Sequence, residues 1–137
     1  MSRKSRENGE RGERIASSWF REHGYWAHIT KRNNQGSQPV DLVAIRKKEG
    51  RYRALLADVK YVESGNSLPF SDVQPNQVEA MRYAKDFAGI DDLGFIIIFG
   101  SLAERIMFYH FSEFEDDVRL GLRSKNAALM DTMEGFE

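Results

Sequence analysis

Residues 93–99, Leu-Gly-Phe-Ile-Ile-Ile-Phe, contain no charge and no alternation of polar with apolar side chains. A strand of this kind has no face to offer to water, so it belongs in the middle of a sheet with a layer packed on each side. Helices on both faces of a sheet are the architecture that accommodates it. The chain carries the helices this requires. Gly12, Ile15, Ala16, Trp19 and Phe20 recur at three- and four-residue spacing over residues 8–23, and Gly24 stops the pattern. A second helix, from about 76 to 88, should bury Val78, Met81, Ala84 and Phe87 or Ala88. Strands are expected at 25–30, 40–46, 52–62 and 105–111, with Lys47-Lys48-Glu49-Gly50 turning a hairpin between the second and third. Ser112-Glu113-Phe114-Glu115 has capping-box spacing and should open a last short helix. The order α-β-β-β-α-β-β-α predicts an α/β fold, a mixed central sheet flanked by helices.

A chain of 137 residues suits one domain. Residues 1–7 read as a mobile basic arm and residues 124–137 as a weakly structured C-terminal tail. With 41% hydrophobic and 30% charged residues, the composition excludes a disordered or fibrous chain. The absence of cysteine excludes a disulfide framework and a thiolate zinc site. No apolar stretch follows the first charges, and the longest apolar run, 95–99, is far shorter than a membrane span. An intracellular location with no membrane contact is the expectation.

The net charge of −1 hides a split. Residues 1–60 hold 14 Lys and Arg against 7 Asp and Glu, a balance of +7; residues 61–137 hold 6 against 14, a balance of −8. A basic half is what a phosphate backbone attracts, although charges also scatter over any solvated surface. Candidate phosphate contacts are Arg11, the donor-rich loop residues Lys31, Arg32 and Asn34, and Arg46, Lys47 and Lys48 at the hairpin. The last three serve equally well to keep a hairpin tip soluble.

Within 52–62, side chains alternate: Ala54, Leu56, Asp58 and Lys60 share one face, and Leu55, Ala57, Val59 and Tyr61 the other. A turn centred near Lys48 and Glu49 brings Asp41 opposite residues 56–57, so Asp41 and Asp58 approach although 17 positions apart. Both carboxylates sit in apolar strands, where an unpaired charge is costly. Two such groups repel unless a divalent cation or a lysine stands between them. Mg²⁺ favours carboxylate oxygens and keeps several waters. Two Asp, a neighbouring Lys60 and the helix-borne Glu13, at the margin of its apolar stripe, therefore suit metal-assisted phosphodiester hydrolysis. Taken singly, Asp58 and Lys60 are also a plausible ion pair on a sheet, and Glu13 a solvated helix residue. His23, His28 and His110 lack ligand spacing, and neither a nucleophile elbow nor a glycine-rich phosphate loop is present.

Glu13 in a first helix, Pro39-Val40-Asp41 and Asp58-Val59-Lys60 together resemble the PD-(D/E)XK nuclease superfamily. Leu68-Pro69-Phe70-Ser71-Asp72-Val73-Gln74-Pro75-Asn76-Gln77 is most similar to the RecU-type Holliday-junction resolvases, as is Asn8 with Arg11-Gly12-Glu13. The resemblance covers about residues 8–115 and implies a restriction-endonuclease-like αβββαβ core. It implies that Asp41 and Asp58 ligate Mg²⁺, with Mn²⁺ as a substitute and Glu13 assisting directly or through water. Lys60 would orient the attacking water or stabilise charge on the phosphate, and Gln77 would position the site or the DNA. Asp58 stands where Glu is common in that family, and Asn76 where a His often precedes the Gln. Residues 26–41 are too few for the stalk by which RecU enzymes engage junctions. The expected activity is cleavage of branched DNA by a homodimer, since two cuts need two sites. The alternatives are a nuclease-fold module that binds DNA without cutting it, and a repair or restriction-type nuclease with another substrate.

Overall fold

The computed structural model describes residues 2–30, 40–90 and 92–137. Helix α1 (Arg3–Glu22) leads into β1 (Trp26–Ile29), and β2 (Leu42–Lys48) and β3 (Arg51–Val62) form a hairpin. β4 (Ser67–Pro69) and a 3-10 turn precede α2 (Pro75–Ala88), β5 (Asp92–Phe99) and β6 (Arg105–His110). The chain closes with α3 (Phe111–Arg119) and β7 (Ser124–Asn126), followed by two 3-10 turns. Strands β1-β2-β3-β5-β6 make one sheet in that order. β3 and β5 run parallel and the other neighbours antiparallel, so the sheet is mixed, as the element order predicts. β4 and β7 add a small separate pair.

The uncharged run 93–99 is the fourth strand of the sheet, buried on both faces. Ile96 and Ile98 meet Ala16 and Phe20 of α1, with Leu42, Ala44, Leu55 and Ala57. Phe95, Ile97 and Phe99 meet Met81 of α2 and Phe111 and Phe114 of α3. Two glycines lie at close approaches between elements. At Gly12, where α1 meets β3, an added Cβ would stand in ordinary contact, 3.4 Å from Tyr61 Cβ and 3.5 Å from Val59 Cγ1. At Gly94 a Cβ would fall 2.2 Å from the Tyr109 carbonyl oxygen, so only glycine fits there.

Four sequence expectations change. The arm expected over residues 1–7 is helical from Arg3, because Ser2 caps the end by accepting the Ser5 N–H at 3.1 Å and Arg3 pairs with Glu7 one turn on. The tail expected to be weakly structured is anchored. Phe136 packs against Phe20 and Phe108, Met133 is buried, and Tyr25 donates to the Phe136 carbonyl at 2.8 Å. Helix α3 opens at Phe111 with His110 as its N-cap, two residues before Ser112, the N-cap of the expected capping box. In α2, Phe87 and Ala88 both face solvent; Met81 is fully buried, and Val78 and Ala84 partly so.

The hairpin turn also differs by one position. Glu49 (φ 53°) and Gly50 (φ 78°) form it, joining Lys48 directly to Arg51. Two left-handed residues make the tight turn whose twist suits a two-residue hairpin. The register then pairs Leu42 with Ala57, and Asp41, just before β2, also donates its N–H to the Ala57 carbonyl, so it lies opposite the position that the sequence predicts and beside Asp58.

Candidate active site

Asp41 ends the loop into β2, and its own N–H donates to the Ala57 carbonyl at 3.0 Å. Its side chain reaches across to β3, where Oδ2 accepts the Val59 N–H at 2.9 Å. Asp58 lies on the same face, only 2% exposed. Burial raises the Asp58 pKa to about 8, helped by its hydrogen bond to Asp41 and by that neighbour's charge, while Lys60 pulls the other way. Asp58 thus holds its proton near neutrality.

Lys60 lies two residues along the same strand face. Its Nζ is 2.9 Å from Asp58 Oδ2, an ion pair without hydrogen-bond alignment. Asp58 Oδ2 is therefore a buried carboxylate oxygen with no hydrogen-bond partner among the described residues. The aligned bond of Lys60 goes to Gln77, whose Oε1 accepts from Nζ at 3.0 Å. Gln77 Oε1 also accepts the Gln74 N–H at 2.9 Å, which fixes it at the first turn of α2. Gln74 is the site residue that the sequence reading passed over. Its signal was present: Gln74-Pro75-Asn76-Gln77 places an N-cap, a proline at N1 and a polar residue at N3.

Glu13 is half-buried on α1 beside Gly12, the residue seated against Val59 and Tyr61. Among the described residues no three His, Cys, Asp or Glu side chains gather at metal-holding spacing; the close pair is Asp41 with Asp58. That pair fits a divalent cation on its own terms. Two carboxylates meet at a buried position, and Asp58 retains a proton where a cation would relieve the same repulsion.

Four of the candidate phosphate contacts fall within the described residues, and two of these are engaged elsewhere. Arg11 pairs with Glu104, to which Tyr61 also donates at 3.1 Å. Arg46 stacks over Tyr25 at 4.5 Å and donates to the Glu137 carbonyl at 2.9 Å, holding the C-terminal segment. Lys47 and Lys48 are exposed at the hairpin end, Lys47 lying over the Tyr52 ring. Lys31, Arg32 and Asn34 lie outside the described residues.

The raised Asp58 pKa carries a prediction about stability. The folded chain keeps a proton that the unfolded chain releases at about pH 3.9. Without divalent cations the contribution is complete below that pH, and it is lost as pH rises through about 8. Melting temperatures in chelator should fall across that interval, and Asp58→Asn, which cannot ionise, should flatten the fall. Parallel pH profiles for the parent and the variant would refute the shift.

No family model matches the sequence, and no curated protein matches it. Among solved structures the chain is similar to Hjc of Archaeoglobus fulgidus, a Holliday junction resolvase from an archaeal hyperthermophile. The TM-score is 0.65 at 18% identity, over 93% of this chain and 98% of that one. The two chains share a fold: a mixed sheet flanked by helices.

Proposed function

We propose that this chain is a Mg²⁺-dependent endonuclease that cuts branched DNA such as four-way junctions. The observation that carries the reading is the cluster Asp41–Asp58–Lys60, in which two carboxylates meet and the buried Asp58 lies 2.9 Å from the Lys60 ammonium. It is supported by the likeness in fold to a Holliday junction resolvase. Asp41 and Asp58 would hold the ion, with Mn²⁺ as a substitute and Glu13 assisting directly or through water. A hard divalent cation held there supplies positive charge beside the scissile phosphate and acidifies water.

The protein's own groups do the rest. Lys60 presents its ammonium to the phosphate oxygens, where negative charge grows as the bond breaks. Gln77 keeps that ammonium in place and is itself fixed by the Gln74 N–H. The Val59 N–H holds the Asp41 carboxylate in the orientation the site needs. Two copies related by a twofold axis would place two such sites on opposing strands.

The test is incubation of the purified chain with duplex, flap and four-way-junction DNA in Mg²⁺ and in Mn²⁺. Cleavage of the four-way junction in preference to the duplex, abolished by chelator, is the expected result. A chain that binds these DNAs and cuts none with either ion would be a DNA-binding module instead.

A further inference from the structure

Helix α1 is held by buried side chains only in its second half. Its buried residues are Gly12, Ala16, Ser17 and Phe20, and none of residues 3–11 is buried. At Gly12 the helix meets β3 without a side chain of its own, so that contact does little to set how far the helix is rolled about its axis. Arg11 and Glu13 leave the helix on opposite flanks of Gly12, about 100° to either side. Ile15 and Trp19 continue the Arg11 flank, where they line a groove with Ile106 of β6. Ser17 and Phe20 continue the Glu13 flank, and Phe20 meets Tyr25 just before β1. Arg11 therefore faces the β5–β6 side of β3, and Glu13 the side of β2 and Asp41.

The turn between β5 and β6 is shaped to receive Arg11. Ala103 and Glu104 both take φ 56°, although neither is a glycine, and left-handed backbone is uncommon for residues with side chains. Arg11 grips the Glu104 carboxylate with both Nε and Nη2, the second at 2.6 Å. A two-pronged bond of this kind fixes orientation as well as distance. Tyr61, next to Lys60 on β3, donates to the same carboxylate at 3.1 Å. Gly100 opens the turn, and an added Cβ there would fall 2.9 Å from the Tyr61 hydroxyl and 3.1 Å from the Glu63 carbonyl oxygen. An ion pair at the surface contributes little to stability. Two left-handed residues and a required glycine, spent on placing one carboxylate, point to position as its purpose.

We propose that Glu104 is a positioning residue for Glu13: by clamping Arg11 to Tyr61 it sets the roll of α1 about Gly12, and so the distance from Glu13 to the Asp41–Asp58 pair. This rests on the metal site of the reading above, in which Glu13 assists the ion. Among the described residues Glu13 does not join the pair at metal-holding spacing. Its contact with the ion then runs through water, and the place of that water depends on where α1 holds the carboxylate. Groups that orient the surroundings of a metal in this way matter to affinity almost as much as the ligands do.

Calorimetry with Mn²⁺ on the full chain, without DNA, tests it. Glu104→Ala should weaken Mn²⁺ binding at least about tenfold, the usual effect of removing an outer partner of a metal site. Its melting temperature should stay within about 5 °C of the parent's, because Arg11 is half exposed and the pair lies at the surface. The reversed pair, Arg11→Glu with Glu104→Arg, rebuilds the clamp and should restore most of the lost affinity. Parent-like Mn²⁺ binding by Glu104→Ala overturns the proposal and leaves the nuclease reading standing. A reversed pair that restores nothing also overturns it, since Arg11 would then act on its own account. Weakened binding that the reversed pair restores, in a chain that cuts no DNA, supports the clamp and refutes only the nuclease reading.

Discussion

Asp58→Asn should abolish cleavage while the fold and DNA binding persist. The substitution keeps the shape of the side chain and removes only its ability to carry charge. Burial already favours the neutral form up to about pH 8, so an amide at this position is no strain on the folded chain. A divalent cation, however, needs the carboxylate, and a neutral amide oxygen is a weaker partner for a hard ion. Loss of the ion removes several kcal/mol of charge stabilisation from the transition state, and each factor of ten in rate corresponds to about 1.4 kcal/mol. Cleavage should therefore drop at least about a thousandfold. Binding should hold or tighten, because one negative charge has left the neighbourhood of the phosphate. Single-turnover cleavage in Mg²⁺, with binding followed by anisotropy, measures both. Near-parent cleavage by Asp58→Asn would remove this residue from the chemistry.

Lys60→Met separates an enzyme from a structural ion pair. In the folded chain Lys60 is held from two directions, by Asp58 at 2.9 Å and by Gln77 at 3.0 Å. If that were its whole purpose, the variant would change stability and leave turnover near the parent's. A group aimed at charge that develops on the phosphate interacts more strongly in the transition state than in the ground state. Removing one such group costs about 10²–10³-fold in rate. We expect Lys60→Met to fold, to bind Mg²⁺ and DNA, and to cut at least about a hundredfold more slowly. Calorimetry for the ion, thermal melting for the fold and single-turnover rates make the comparison. A variant cutting at the parent's rate would leave Lys60 as a partner of Asp58 and nothing more.

What the sequence determined by itself is whatever repeats with a local period. The uncharged run 93–99 could only be a central strand, and the three- and four-residue spacing of Ile15, Ala16, Trp19 and Phe20 could only be one face of a helix. Alternation along β3 put Asp58 and Lys60 on one face before any partner was known. Contacts between segments were decided by the tertiary structure. The Asp41 carboxylate reaches the Val59 N–H beside Asp58 because the hairpin turns at Glu49 and Gly50, and a slip of one residue would have moved it away from that face. Lys60 meets Gln77 because α2 packs over β5 with its first turn above β3. Met133 and Phe136 are core residues although their segment has no period at all, since a single buried ring needs only a cavity and not a repeat. The charge split was countable, yet which basic residues stay free was not: Arg11 is claimed by Glu104 and Arg46 by the C-terminal carbonyl, through contacts 93 and 91 positions apart. Local periodicity reports which face a side chain shares. Turn geometry and packing decide what stands opposite it.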